Sequence, residues 1–256
     1  MDAAAALLVL APALAVGSFL NVVVSRLPTQ RSLVRPRSAC PACGAAIAWH
    51  DNIPILSFLM LRARCRACEI RISWRYPLLE AVTGTLFAAV AAAFGPSVDF
   101  VIAAAFLAAL LAITVIDIDH QIIPNAITYP GIVAGLLASL LSPRLSWLEA
   151  VLGVVVGGGI FLLIAEGSLR IMGQEGMGGG DVKLGAMLGA FLGWKAMLVT
   201  ILLAVVGGGI VAGLLIVTGL KGRKDPIPFG PFLTAAGAIG FFWGEALVRW
   251  YLAAFL

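Results

Sequence analysis

"EGMGGGDVKLGAMLGAFLGWK", residues 175–195, decides how the rest of the chain is read. An acidic side chain, Asp181, follows three consecutive glycines and opens an apolar run that ends at Lys195. An ionisable carboxylate beside lipid is costly and rarely decorative. The run is also short for a bilayer crossing, which needs about 20 apolar residues. If it crosses, every later segment keeps its side of the membrane; if it turns back, every later side reverses.

The surroundings leave no doubt about the solvent. The chain has 256 residues, 61% hydrophobic and 12% charged. A soluble domain carries about a quarter charged residues. The composition therefore excludes a soluble enzyme and predicts an all-α, multi-pass membrane protein. About eight apolar spans are expected, near 4–24, 78–95, 99–117, 126–142, 147–168, 182–194, 196–219 and 229–253. The first could be mistaken for a cleaved signal peptide, but Asp2 and the lack of any Lys or Arg before it argue for a retained span. "GPSVD" (95–99) and "SPRLS" (142–146) are short and weakly charged, whereas "DIDHQIIPN" (117–125), 170–183 and "KGRKDP" (221–226) are charge-rich. Basic loops stay in the cytoplasm. The basic 221–224 cluster then argues that the short sixth run crosses, which places both termini outside.

Residues 25–77 form the largest polar segment. They hold Arg26, Arg31, Arg35, Arg37, Arg62, Arg64, Arg66, Arg71 and Arg75, against Asp51 and Glu69 alone. The same segment contains all four cysteines, as "CPAC" (Cys40, Cys43) and "CRAC" (Cys65, Cys68). In a reducing compartment this pairing speaks for metal rather than disulfides. Four thiolates make a closed tetrahedral zinc site with no open position, so the metal is structural. It also supplies folding free energy to a loop with few apolar side chains. His50 is left as an ordinary loop histidine. The arginines fit anionic lipid headgroups. Interleaved aromatics or a reading helix, which nucleic-acid binding would need, are missing.

Four carboxylates fall near span ends on the expected cytoplasmic side: Asp117, Asp119, Glu166 and Asp181. Asp117 closes the apolar run "AALLAITVID" and should lie at the membrane boundary, with Asp119 wetter. Asp181 before a helical pattern is first of all an N-cap. A cap needs no triple glycine, however, and glycines let backbone approach closely. A second carboxylate at the same depth sharpens the functional reading. Two facing carboxyls in a partly desolvated gap cannot both ionise cheaply, and they share one proton as an aspartic-protease pair does. Lys183 points away from Asp181 on an ideal helix and reads as a snorkelling interface lysine.

Taken together, "GSFLNVVVSRLP" (17–28), the two cysteine pairs, "RYPLLEAVTG" (75–84), "DIDHQIIPN" and "GMGGGDVKLGAMLGAFLGW" (176–194) resemble the prepilin peptidases, the bacterial type IV leader peptidases. Gly178, Gly180 and Asp181 match the family's Gly-x-Gly-Asp signature. The resemblance implies a bacterial inner-membrane aspartyl endopeptidase with Asp117 and Asp181 as catalytic residues. It implies prepilin or pseudopilin substrates of type IV pilus or type II secretion systems, cut at the cytoplasmic face. It further implies methylation of the new N-terminus with S-adenosylmethionine. The family usually has glycine two residues before the third cysteine, where this chain has Ala63. An added methyl group at a tight site there would hinder methyl transfer.

The expected division is 1–24 as a first span, 25–77 as the zinc loop and methyl-transfer region, and 78–256 as the peptidase. Two rivals remain on residues alone: an ion-coupled transporter using Asp117 and Asp181, and a scaffold whose zinc loop docks a partner. Transport sites lie near the bilayer midplane, whereas both aspartates fall near one face.

Overall fold

In a computed structural model the chain is built of helices, and residues 3–173, 177–222 and 225–255 are described. Glu175 and Gly176 of the glycine-rich stretch, Arg223 and Lys224 of the basic cluster, and Asp2 lie outside the described residues. The helices are α1 (Ala3–Arg26), α2 (Leu56–Met60), α3 (Arg75–Phe94), α4 (Val98–His120), α5 (Asn125–Leu141), α6 (Trp147–Met172), α7 (Gly179–Val217) and α8 (Gly230–Phe255). A single 3-10 turn, Trp49–Asn52, precedes α2.

Six of these helices are long and apolar enough to cross a membrane, and α5 is a shorter apolar helix of 17 residues. The chain is thus a multi-pass membrane protein. The sixth and seventh expected spans are one helix, α7, broken at Gly193, where φ is 73° and ψ is 166°. That backbone belongs to glycine. The break falls two residues before Lys195, the expected boundary. Counted on either side of Gly193, α7 completes the eight apolar segments.

Local signals explain several helix ends. Ser146 and Glu149 form a capping box at the start of α6. Gly173, with φ 67°, ends α6, and Gln121, with φ 54°, follows the end of α4.

The chain divides into two compact units, 1–112 and 113–256. In the first, α1 lies directly on α3. A β-carbon on Gly17 would come 2.7 Å from the Cα of Glu80, and Gly84 faces Leu10 and Leu14. Ala13, Phe87 and Ala104 continue the seam as a small core. Asn21 donates to the Tyr76 carbonyl at 3.2 Å. With no hydrophobic drive between helices in lipid, small residues that admit close approach and such polar contacts supply the association.

In the second unit the first half of α7, residues 179–192, is the central element. α6 touches it backbone to backbone, Gly153 against Gly189 and Gly157 against Gly185, leaving no room for a side chain. α5 presents Gly131 to Met187 and Gly135 to Ala190. From the other direction, α8 presents Gly237 to Leu188 and Gly240 to Thr200. Residues 184–190 are accordingly all buried. A helix enclosed on every side reads apolar all round. This half is only about 21 Å long at 1.5 Å per residue. Its neighbours cover the flanks of residues 184–190, so this half does not need the length of a free-standing span.

Candidate active site and cysteine cluster

Three helix ends meet around the two aspartates of the second unit. Asp117 lies one turn before the end of α4, above the fully buried Ile113 and Ile116, and is itself 5% exposed. Its carboxylate accepts the backbone N–H of Gly230, the first residue of α8. A β-carbon on Gly230 would collide with that carboxylate. α8 is held to α4 one turn deeper by Thr114 and Thr234, whose hydroxyls are 2.7 Å apart.

Asp181 enters from the start of α7. The N-cap is Gly178, with φ −72° and ψ 143°, so Asp181 is the third helical residue rather than the cap itself. Its backbone N–H donates to the Gly178 carbonyl at 3.0 Å. Its carboxylate accepts the Gly178 N–H in return, as the third residue of a capping box does. The expected simple cap is therefore corrected: the side chain reaches back over the glycine segment while its carboxylate is close enough to Asp117 to feel that charge.

Two contacts bring the ends of α4 and α7 together. Ile123, in the α4–α5 turn, sits against Gly180, where a β-carbon would be 3.0 Å from the Ile123 Cβ. Lys183 donates to Asn125 Oδ1 at 2.9 Å and lies 5.6 Å from the Tyr129 ring. It is thus a tie between α7 and α5, in place of the snorkelling lysine expected. Gly180 is tightly packed on Ile123 and Gly178 sets the cap, while Gly179 faces open space. Asp119 is exposed, and Glu166 is exposed and pairs with Arg170 at 3.5 Å. Of the four carboxylates singled out from sequence, Asp117 and Asp181 lie near enough to interact electrostatically. Sequence reasoning missed Gly230; its signal is the "GP" dipeptide at a helix start, where proline is well placed.

The cysteine cluster is built by a repeat with an offset of 25 residues. Cys40 N–H donates to the Ala45 carbonyl and Gly44 N–H to the Cys40 carbonyl, each at 2.9 Å. Cys65 N–H donates to Ile70 at 2.9 Å and Glu69 N–H to Cys65 at 3.0 Å. Outside these, Ile47 bonds Ser38 and Ile72 bonds Ala63. Gly44 and Glu69 occupy equivalent left-handed positions, with φ 70° and 57°.

The two turns bring the four sulfurs within 4.8 Å of one another, with Cys40 and Cys68 Sγ 3.8 Å apart. A tetrahedral zinc at about 2.3 Å from each sulfur separates them by roughly 3.8 Å. N–H groups of Cys43 and Ala42 bring the Cys40 thiol down to about 6. The Ile70 N–H favours the Cys68 thiolate too, but burial and the neighbouring sulfurs outweigh it and push that thiol up to about 12. The donor set fits zinc. His50 lies apart, 3.8 Å from Asp51, whose carboxylate Arg66 holds at 2.8 and 2.6 Å. Ala63 has φ 58°. Glycine suits that place because of its backbone, so the departure acts through conformation.

Comparison with known proteins now decides the family. Residues 12–94 match the Bacterial Peptidase A24 N-terminal domain, and residues 104–213 match the Type IV leader peptidase family. A relative from Aeromonas hydrophila is 39% identical over 95% of this chain and 92% of its own length. The chain belongs to the type IV leader peptidase family. A Bacillus subtilis (strain 168) member is 34% identical over 93% of this chain and 94% of its own length. One from Myxococcus xanthus (strain DK1622) is 43% identical over 83% and 63%. Each of the three is named "Prepilin leader peptidase/N-methyltransferase". No solved structure matches the chain. These relatives lend the transporter reading no support, and it is set aside.

Proposed function

We propose that this type IV leader peptidase is an aspartyl endopeptidase of the bacterial inner membrane. It removes the basic leader from type IV prepilins or type II secretion pseudopilins, then methylates the exposed N-terminal amine. The observation that carries the reading is the convergence of Asp117 and Asp181, from different helices, at one set of helix ends. The printed names of the relatives support both activities. The arginine excess of 25–77 supports a cytoplasmic position for the zinc loop.

In this reading Asp117 and Asp181 hold one proton between them. The ionised carboxyl takes a proton from a water molecule, whose oxygen attacks the scissile carbonyl carbon. The protonated carboxyl donates a hydrogen bond to the carbonyl oxygen. The C–N bond then breaks, and the amide nitrogen leaves with a proton returned by the pair. Gly230 N–H orients Asp117 and Gly178 N–H orients Asp181. Residues 78–256 do this chemistry, with residues 1–24 as the first span. Residues 25–77 serve methyl transfer, for which S-adenosylmethionine supplies the methyl group. Cys40, Cys43, Cys65 and Cys68 hold a structural zinc.

The test is mass analysis of a model prepilin incubated with the purified enzyme, with and without methyl donor. Asp181→Asn keeps an acceptor for the Gly178 N–H, so it should fold while product falls below detection. Retained cleavage by that variant would end the assignment. Asp117→Asn should behave alike, and Asp119→Asn should still cleave.

A further inference from the structure

The short helix α2 belongs to the polar loop, yet its outward face is apolar. Leu56, Leu59 and Met60, at i, i+3 and i+4 on one helical face, are 51%, 60% and 73% exposed. The opposite face is Ser57 and Phe58, both buried. Ser57 Oγ donates to the His50 carbonyl at 2.8 Å and accepts the Ile53 N–H at 3.0 Å. Phe58 packs edge-on against Trp74, with ring centroids 4.7 Å apart. The burial of one face fixes which side chains look outward.

Two contacts fix the depth of α2. Trp74, 70% exposed, immediately precedes the spanning helix α3. Tryptophan at such a position marks the headgroup level. Glu80, five residues into α3 and 7% exposed, accepts the Ile55 N–H through Oε2 at 2.8 Å. It also hydrogen-bonds Ser18 of α1. Trp74 and Glu80 are about 9 Å apart along the helix axis. α2 is tied to both, so it hangs beside the end of a membrane helix rather than out in water.

The tie is made at a backbone outlier. Ile55 has φ 60° and ψ −49°, and Leu56 N–H bonds the Pro54 carbonyl across it. This γ-turn is rare, and for a β-branched residue it is strained. Such a turn persists only where its surroundings over-determine it. Here the Glu80 carboxylate does so. Arg62 and Arg64, both exposed, follow α2, and Arg64 also lies 4.0 Å from the Glu69 carboxylate.

We propose that α2 is an interfacial wedge. Its Leu56, Leu59 and Met60 face sits among the acyl chains of the leaflet bordering α3, with Arg62 and Arg64 on anionic headgroups, so that the zinc loop lies flat on the lipid surface. An apolar face bordered by basic residues at headgroup depth is the pattern of helices that lie in a membrane plane. Glu80 is the positioning residue that sets the depth of the wedge. This inference does not depend on the chemistry of Asp117 and Asp181.

The experiment places a fluorescent non-natural amino acid at position 60 of the full-length, zinc-loaded protein, in bilayers of phosphatidylcholine and phosphatidylglycerol. Lipids spin-labelled high on the acyl chain should quench it at least twofold more than iodide added to the water. Leu59→Asp, checked for unchanged zinc content, should reverse that preference. Glu80→Gln, which keeps an acceptor for Ile55, should retain it, and Glu80→Ala should weaken it. Quenching of the parent protein by iodide alone would show a bare aqueous face and overturn the proposal. Protection from both quenchers would show a face covered by protein, such as the substrate or a second copy, and would overturn it equally.

Discussion

Two of the glycines around Asp117 and Asp181 are held by contact and a third is not, and substitutions should separate them. Gly180 lies under Ile123, whereas Gly179 has nothing within 4 Å of its missing β-carbon. Gly180→Val should therefore lower prepilin cleavage at least tenfold, with Gly179→Ala close to the parent rate. Gly230→Ala places a methyl group on the Asp117 carboxylate and should abolish cleavage while leaving helix content unchanged by circular dichroism. A similar contrast exists in the four-cysteine loop. Gly44 has φ 70° and open space around it, so Gly44→Ala should cost about 1 kcal/mol from the left-handed backbone alone. Ala63 already bears that cost at φ 58°. Ala63→Gly should return about 1 kcal/mol, and the two variants should shift the midpoint of zinc loss to a chelator in opposite directions.

Among the helices, the contact of α6 with α7 is the least forgiving. Gly153 and Gly189 meet through their backbones, so a side chain at either must push whole helices apart. Gly189→Leu should destabilise by about 3 kcal/mol or more. Gly207→Leu, in open space on the same helix, should be neutral by thermal unfolding in lipid. The apolar runs made these helices legible in the sequence, because enclosure by lipid or by other helices leaves the same mark. The position of the break was not legible. Trp194 and Lys195 look like an interface pair, but the bend depends on the left-handed backbone of Gly193 and on Leu145 and Glu149 packed beside it. Likewise, "GGGD" announces a close approach without saying that the cap is Gly178 or that Ile123 is the neighbour.

Each compact unit has its own interior, one seamed by α1 and α3 and carrying the four clustered sulfurs, the other wrapped around the start of α7. Removing the metal should raise amide exchange across 38–72 while leaving 184–190 protected, as read by mass spectrometry. Of the two candidate sites, the sulfur cluster was the more legible, since its spacing carries its geometry. The aspartate pair was legible as two carboxylates at one depth. Gly230, which supports Asp117 from a distant helix, was not legible, nor was the Glu80–Ile55 tie that holds α2 in the other unit, because each joins segments that only folding brings together. The bond-for-bond match between the turns at Cys40 and Cys65 has one more consequence. Each turn shapes its own two-thiol half through its own backbone bonds, so a second copy of one turn can stand in for the other. A synthetic peptide spanning 38–47 alone should therefore capture zinc with a stoichiometry of two peptides to one ion.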